Sequence, residues 1–301
     1  MKRTIIALAF IAAASAAFVS CNKETVDLGL DGSTRELITF VTRSGDAVET
    51  KATGVSEVTT ANLAGFNVVA AVSGGTDWSG AFSKDATTGK YTGDKYWPAS
   101  DPGYTFLASN ASINGSSINV SDSSVDIVAA YLPDAGYKIE NTLTFNHILC
   151  QVGYVDMKAP AGYDVTNLKV KLNPVYSGTY NIANSTWSSL GSASGDVYVF
   201  GSAAAGVTLT NGGSARSADN DLWLVPGTYV LTASYTISKG SYSKDFTKSS
   251  NVTLVIGKNN NLVLPGTNAD EPNIPTPDDI SDIIFNVIVT PWQDNDIPVT
   301  F

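Results

Sequence analysis

The sequence is poor in the residues that most chemistry needs. It has one histidine, two cysteines and two methionines in 301 residues, which leaves little material for a soft-metal site or an acid–base pair built on imidazole. Charged residues make up only 15% of the chain, and the net charge is -10. It is more negative still without the first twenty residues, which carry Lys2 and Arg3 and no acid. Nothing supplies the basic footprint that phosphate backbones require, so nucleic acid is not expected as a partner. No paired carboxylates, nucleophile or metal-ligand spacing stand out, and the chain reads as a non-enzyme without a cofactor. What is abundant is hydrophobic residues, at 43%, together with 26 glycines and many Ser, Thr and Asn. That composition suits an extracellular β protein with an uncharged polar surface.

Long apolar runs are also missing. Ile5 to Phe18 is short of the ~20 residues a bilayer requires, and with Lys2 and Arg3 before it fits the hydrophobic region of a signal peptide. The run ends at Phe18-Val19-Ser20-Cys21, where a small residue directly before a cysteine resembles a bacterial lipobox in the loose form of Bacteroidetes lipoproteins. Residues 1–20 are read as the signal peptide and Cys21 as the lipidation site; an ordinary secretory signal with an unrelated cysteine is the alternative. Several acyl chains on Cys21 would anchor the protein firmly, since each buried methylene contributes ~0.8 kcal/mol. Asn22-Lys23-Glu24 lacks the Asp that favours inner-membrane retention, which points to the outer membrane. With Cys21 acylated, Cys150 has no intramolecular disulfide partner, and stability must come from packing.

Beyond Cys21 the hydrophobic pattern has period two. Ile38 and Phe40 flank Thr39, and Phe66, Val68, Ala70 and Val72 line one face of the next candidate strand. The pattern returns at Tyr104–Ala108, Leu168–Leu172, Tyr229–Ile237, Val252–Ile256 and Phe285–Val289. Turn clusters such as Ser73-Gly74-Gly75, Asp101-Pro102-Gly103, Asn211-Gly212-Gly213 and Pro226-Gly227 separate the runs. Many short strands with regular turns predict antiparallel β-sandwiches. Leu132-Pro133-Asp134-Ala135-Gly136 is read as a boundary between two halves, and residues 265–279, with four prolines and several acids, as an extended connector. The β-prone stretch Ile283–Val289 then stands at the carboxyl terminus, an aggregation hazard unless it has a defined place to go.

Several segments in order resemble the fimbrillin family of Bacteroidales, the subunits of type V pili. They are Cys21-Asn22-Lys23-Glu24, Leu37-Ile38-Thr39-Phe40-Val41-Thr42, Leu63-Ala64-Gly65-Phe66-Asn67-Val68, Lys95-Tyr96-Trp97-Pro98 and Leu143-Thr144-Phe145-Asn146-His147-Ile148-Leu149. They continue with Trp223-Leu224-Val225-Pro226-Gly227, Gly257 to Leu264, and Ile284 to Trp292. The resemblance covers most of the mature chain and implies two tandem transthyretin-like antiparallel β-sandwich domains. The implied layout is a lipidated propeptide with the first strand over 21–51, sandwiches over 52–139 and 140–264, and a Pro-rich connector with the last strand over 265–301. The family also implies a fimbrial subunit that is anchored at the outer membrane, matured by a protease and polymerised with other fimbrial subunits by donor-strand exchange, serving adhesion. In that scheme Leu37, Ile38, Phe40 and Val41 belong to the displaced first strand. Ile283, Phe285, Val287 and Val289 belong to the donor strand, which adds to a neighbour through main-chain bonds and alternate side chains. The processing site is Lys51, in a small polar context that suits an exposed loop, or Arg43, favoured by a protease that prefers arginine. Two alternatives stand: the last strand folds back onto its own domain, and the chain is a non-polymerising outer-membrane lipoprotein that binds glycans.

Other residues read as structural. His147 lies between Phe145 and Leu149 on an alternating strand, where a hydrogen-bonded core histidine is expected. Cys150 is expected as a small buried hydrophobe. Asp294-Asn295-Asp296 lacks the Gly and distal Glu of a calcium loop. Trp78, Trp97 and Trp187 are either sheet-packing residues or sugar-stacking ones.

Overall fold

In the computed structural model the described residues are 36–44, 58–59, 61–121, 125–217, 222–264 and 286–291. Cys21, Lys51, Ile283, Phe285, Asp294 and the whole Pro-rich connector, 265–279, lie outside them. Among the described residues the chain is all-β, with twenty strands and no helix.

The first eight strands are β1 Leu37–Ser44, β2 Gly65–Val72, β3 Trp78–Lys84, β4 Tyr91–Tyr96, β5 Tyr104–Ser109, β6 Ser117–Val120, β7 Val128–Ala135 and β8 Asn141–His147. Seven of them close a barrel in the order β1-β4-β3-β2-β5-β7-β8. The expected alternation explains its interior, because a strand with one buried face must place every second side chain inward. Phe66, Val68 and Ala70 of β2 and Tyr104, Phe106 and Ala108 of β5 all point into one apolar cluster with Ile38, Phe40, Leu143 and Phe145. Antiparallel pairing was expected throughout, yet β1 runs parallel to β8. The barrel is closed by joining strands distant in sequence, which no hairpin can do.

The remaining strands are β9 Cys150–Lys158, β10 Asp164–Leu172, β11 Gly178–Asn181, β12 Thr186–Ser188, β13 Val197–Phe200, β14 Val207–Leu209, β15 Ser214–Arg216 and β16 Leu222–Leu224. They continue with β17 Gly227–Lys239, β18 Tyr242–Leu254, β19 Lys258–Leu264 and β20 Asn286–Pro291. One sheet runs β13-β10-β17-β18 with β14 also on β10, and a second runs β15-β9-β19-β20 with β16 also on β9. Their inner faces share a core in which Val152, Val155 and Leu262 meet Val170, Leu231 and Val252. Here too one pair, β9 with β19, is parallel. On β10 both Val165 and Leu168 point inward, because Asn167 adopts φ 55 and the register slips between Thr166 and Lys169. Gly206 packs against this bulge, where a Cβ would stand 2.3 Å from the Asn167 carbonyl carbon.

The halves are joined more intimately than a linear tandem implies. Strand β6, from the first half of the chain, pairs with β11 in the sheet β12-β11-β6. A third apolar cluster lies there, containing Leu107, Ile118, Ile148, Leu149, Tyr180 and Trp223. Around the expected boundary, β7 runs through Pro133 to Ala135, with a register irregularity against β5 between Tyr104 and Phe106. Asn141–His147 is hydrogen-bonded into the barrel through β1 and β7. The chain passes from the barrel to the next sheet at Ile148–Leu149.

Candidate functional site

The first strand sits in the barrel wall between two strands. Its leading half pairs antiparallel with β4, Leu37 with Tyr96 and Phe40 with Tyr91, and its trailing half pairs parallel with β8, from Phe40 with Asn141 to Ser44 with Phe145. Phe40 is the one residue paired on both sides. Strand alternation turns Ile38 and Phe40 inward, both fully buried, while Leu37 and Val41 are half-buried on the other face. The Phe40 ring meets those of Phe82, Phe106 and Phe66 edge-on, with centroids 4.9, 5.0 and 6.1 Å apart, the T-shaped arrangement that aromatic quadrupoles favour. Burying Ile38 and Phe40 is worth about 3–6 kcal/mol before ordering costs. Of the two processing candidates, Arg43 lies within β1, its backbone paired with Thr144.

The carboxyl-terminal strand takes an edge position. β20 pairs antiparallel with β19, from Lys258 with Pro291 to Val263 with Asn286, and among the described residues is the last strand of its sheet. It includes Val287 and Val289 of the expected Ile283–Val289, whereas Ile283 and Phe285 lie outside the described residues. In this single chain the strand is folded back on its own sheet, the alternative left open by the sequence.

His147 is hydrogen-bonded, as expected, but to a partner the sequence did not reveal. Its Nδ1 lies 2.9 Å from both carboxylate oxygens of Asp126. The Asp126 side chain is fully out of solvent and also accepts a bond from the Val58 N–H at 2.8 Å. Asp126 precedes β7 in a stretch without strand periodicity, so the only available signal was its proximity to a strand that pairs with β8.

Cys150 is buried in the core of the second half, its Sγ donating to the Leu224 carbonyl at 3.3 Å. Burial pushes its thiol up to about 12, so the nucleophilic thiolate is suppressed at neutral pH. Burial likewise raises the Tyr229 and Tyr235 hydroxyls. These groups hold their protons to higher pH when folded than when unfolded. Their contribution to stability is therefore complete below about pH 9, the ordinary value of the thiol, and is lost as pH rises toward about 12. We expect urea midpoints to fall steadily above pH 9. At pH 8 a thiol reagent should leave Cys150 unmodified in the native chain and label it fully in urea; rapid native labelling would contradict the buried placement.

The tryptophans are packing residues in the main. Trp97 and Trp223 are buried, and Trp78 and Trp187 are half-buried. Trp78 lies under Lys95 with Nζ 5.9 Å from its ring, and Trp187 packs on Tyr180.

No protein-family model matches the chain, and no curated protein matches its sequence. Among solved structures the similarities are weak. A protein of Bacteroides ovatus, provisionally designated a cell adhesion protein, is 14% identical over 88% of this chain and 100% of its own, with a TM-score of 0.43. One of Parabacteroides distasonis with the same provisional designation is 10% identical over 86% of this chain and 100% of its own, with a TM-score of 0.44. A fimbrial assembly protein of Parabacteroides distasonis is 9% identical over 85% of this chain and 99% of its own, with a TM-score of 0.36. Likeness at this level does not decide what the chain does.

Proposed function

We propose that the chain is a non-enzymatic structural subunit of a cell-surface fimbria, built of two tandem transthyretin-like units and serving adhesion. In this reading it is exported as a lipoprotein through Cys21, held at the outer membrane, and matured by a protease that cuts at Lys51 or Arg43. It then polymerises when the segment Ile283–Val289 of another fimbrial subunit takes the place of β1. The supporting observation is the seat of β1: a first strand closing a barrel by a parallel pairing, with two fully buried side chains. Its loss would leave β4 and β8 as facing edges above an apolar floor, the arrangement that strand addition requires.

A sequence coincidence sets the register. Ile-X-Phe occurs at two places in the chain, Ile38-Thr39-Phe40 and Ile283-Ile284-Phe285. Aligned on these, a donor running parallel to β8 would put Ile283 where Ile38 was and Phe285 among the three phenyl rings. The donor must first leave β19, where among the described residues it holds the edge of the sheet.

The second reading, a non-polymerising outer-membrane lipoprotein that binds glycans, is favoured by one observation, the pairing of β20 with its own sheet. One experiment separates them. The exported chain is treated with a trypsin-like protease and run unboiled on a denaturing gel beside a version truncated before Ile283. Strand exchange gives a ladder that appears on clipping and vanishes with truncation, and terminal sequencing places the cut. Persistent monomer under both conditions rejects polymerisation.

A further inference from the structure

We infer that the Asp126–His147 pair is the pin that holds β8 in the barrel wall once β1 has gone. The inference rests on the reading that β1 is removable, and it assigns a role to the only histidine in the chain.

Strand β8 is held unevenly. Toward β1 it makes five successive residue pairs, from Asn141 to Phe145. Toward β7 it makes two, Val128 with His147 and Ala129 with Asn146. At its start the Asn141 side chain is tied to the turn, accepting from Gly136 N–H at 2.9 Å and donating to Gly136 O at 3.0 Å. Between these ends, among the described residues, Thr142–Phe145 is paired with no strand but β1. Yet Leu143 and Phe145 are part of the barrel core, and β8 would be one wall of any emptied groove. Without β1, the wall depends on its two ends.

Asp126 strengthens the end that has only two pairs. Its carboxylate accepts from the Val58 N–H and, in this pairing, from the His147 Nδ1–H, and hydrogen bonds to a carboxylate are among the stronger ones. The carboxylate is itself fixed without help from β1. It accepts from Val58 N–H at 2.8 Å; its backbone carbonyl accepts from Asn110 Nδ2 at 2.9 Å, and the adjoining Ile127 carbonyl accepts from Ile148 N–H at 3.0 Å. Ile127 and Ile148 are both buried in the cluster that joins the halves. A carboxylate shielded from water is costly to strip of its donors, so the pin resists opening when the strand alongside it leaves.

A double-mutant cycle in the full chain reads this directly. Phe40→Asp places a carboxylate among three phenyl rings and ejects β1, and His147→Gln removes the pin while keeping an amide. The measurement is hydrogen exchange of peptides covering 141–147. His147→Gln alone should speed exchange there by less than about threefold, because β1 still holds the strand. In the Phe40→Asp background the same change should speed it by about 10- to 100-fold, the range for loss of a hydrogen bond to a charged group. Equal effects in both backgrounds, or none in either, would overturn the inference. Should Phe40→Asp unfold the barrel, Phe40→Ala replaces it, and the double variant must then exchange faster than the product of the single effects. No protease or polymer enters the measurement. Coupling without a gel ladder leaves the pin standing and sinks strand exchange, whereas a ladder without coupling does the reverse.

Discussion

Clipped chains carrying Phe285→Asp are expected to stay monomeric under conditions in which the unaltered chain forms a ladder. The site that Phe40 occupies is floored by Phe82, Phe106 and Phe66 at 4.9–6.1 Å and is fully buried. A phenyl ring entering it recovers about 1.5–3 kcal/mol of burial, and an ionised carboxylate there has no donor to meet it. Losing the first and adding the second lowers donor affinity by at least about 4 kcal/mol, a factor of roughly a thousand. Phe285→Leu should be graded instead, about tenfold weaker, because the volume is partly kept. Titrating clipped chains by light scattering measures both. The melting temperature of the uncut Phe285→Asp chain, compared with the unaltered one, checks that the monomer is intact. If Phe285→Asp assembles as well as the unaltered chain, the Ile-X-Phe register is wrong. If neither assembles, the failure lies with exchange itself.

The second large effect belongs to the barrel alone. Phe40→Ala should lower unfolding free energy by about 3–5 kcal/mol, as the removed ring takes its transfer energy with it and leaves a cavity that a closed barrel collapses poorly around. Val41→Ala, half-buried on the opposite face of the same strand, should cost less than about 1 kcal/mol. Urea denaturation of the uncut chains decides this, with the midpoint moving and the slope unchanged. Similar losses at both positions would mean that β1 is held by its ladders and not by its inward side chains. A donor strand would then have little side-chain specificity to exploit.

Much of the strand content was legible because each strand buries one face, and a half-buried strand writes its period into the sequence. Phe66, Val68 and Ala70 and the run Tyr229–Ile237 are clear cases. Strand β18 shows where that signal fails. Only its end, Val252 and Leu254, was readable, yet it runs from Tyr242. Its outer face is hydroxylic, and the inward positions Lys248 and Ser250 interrupt the apolar row. It is a strand because thirteen residues of β17 pair with it in unbroken register. Barrel closure was illegible for a different reason: a parallel ladder between β1 and β8 leaves no turn residues to mark it. The Asp126–His147 pair was hidden likewise, since a contact between the lead-in to one strand and the end of another carries no local motif. For the candidate site, the first strand was expected at Leu37–Thr42 and extends to Ser44, whereas its direction and both of its neighbours came only from the fold.

The parallel pairing of β1 with β8 also fixes an order of events in biogenesis. Phe40 is synthesised early, but Asn141, its partner on β8, follows roughly a hundred residues later, and a loop of that length must be gathered before the pair can form. Strands β2 and β3, and β4 after them, meet through short connections and need no such wait. Until β8 is made the barrel is unclosed: β1 can already lie on β4, but its trailing half, Val41 to Ser44, has no partner. The seam between β1 and β8 thus waits on the synthesis of every other strand of the barrel.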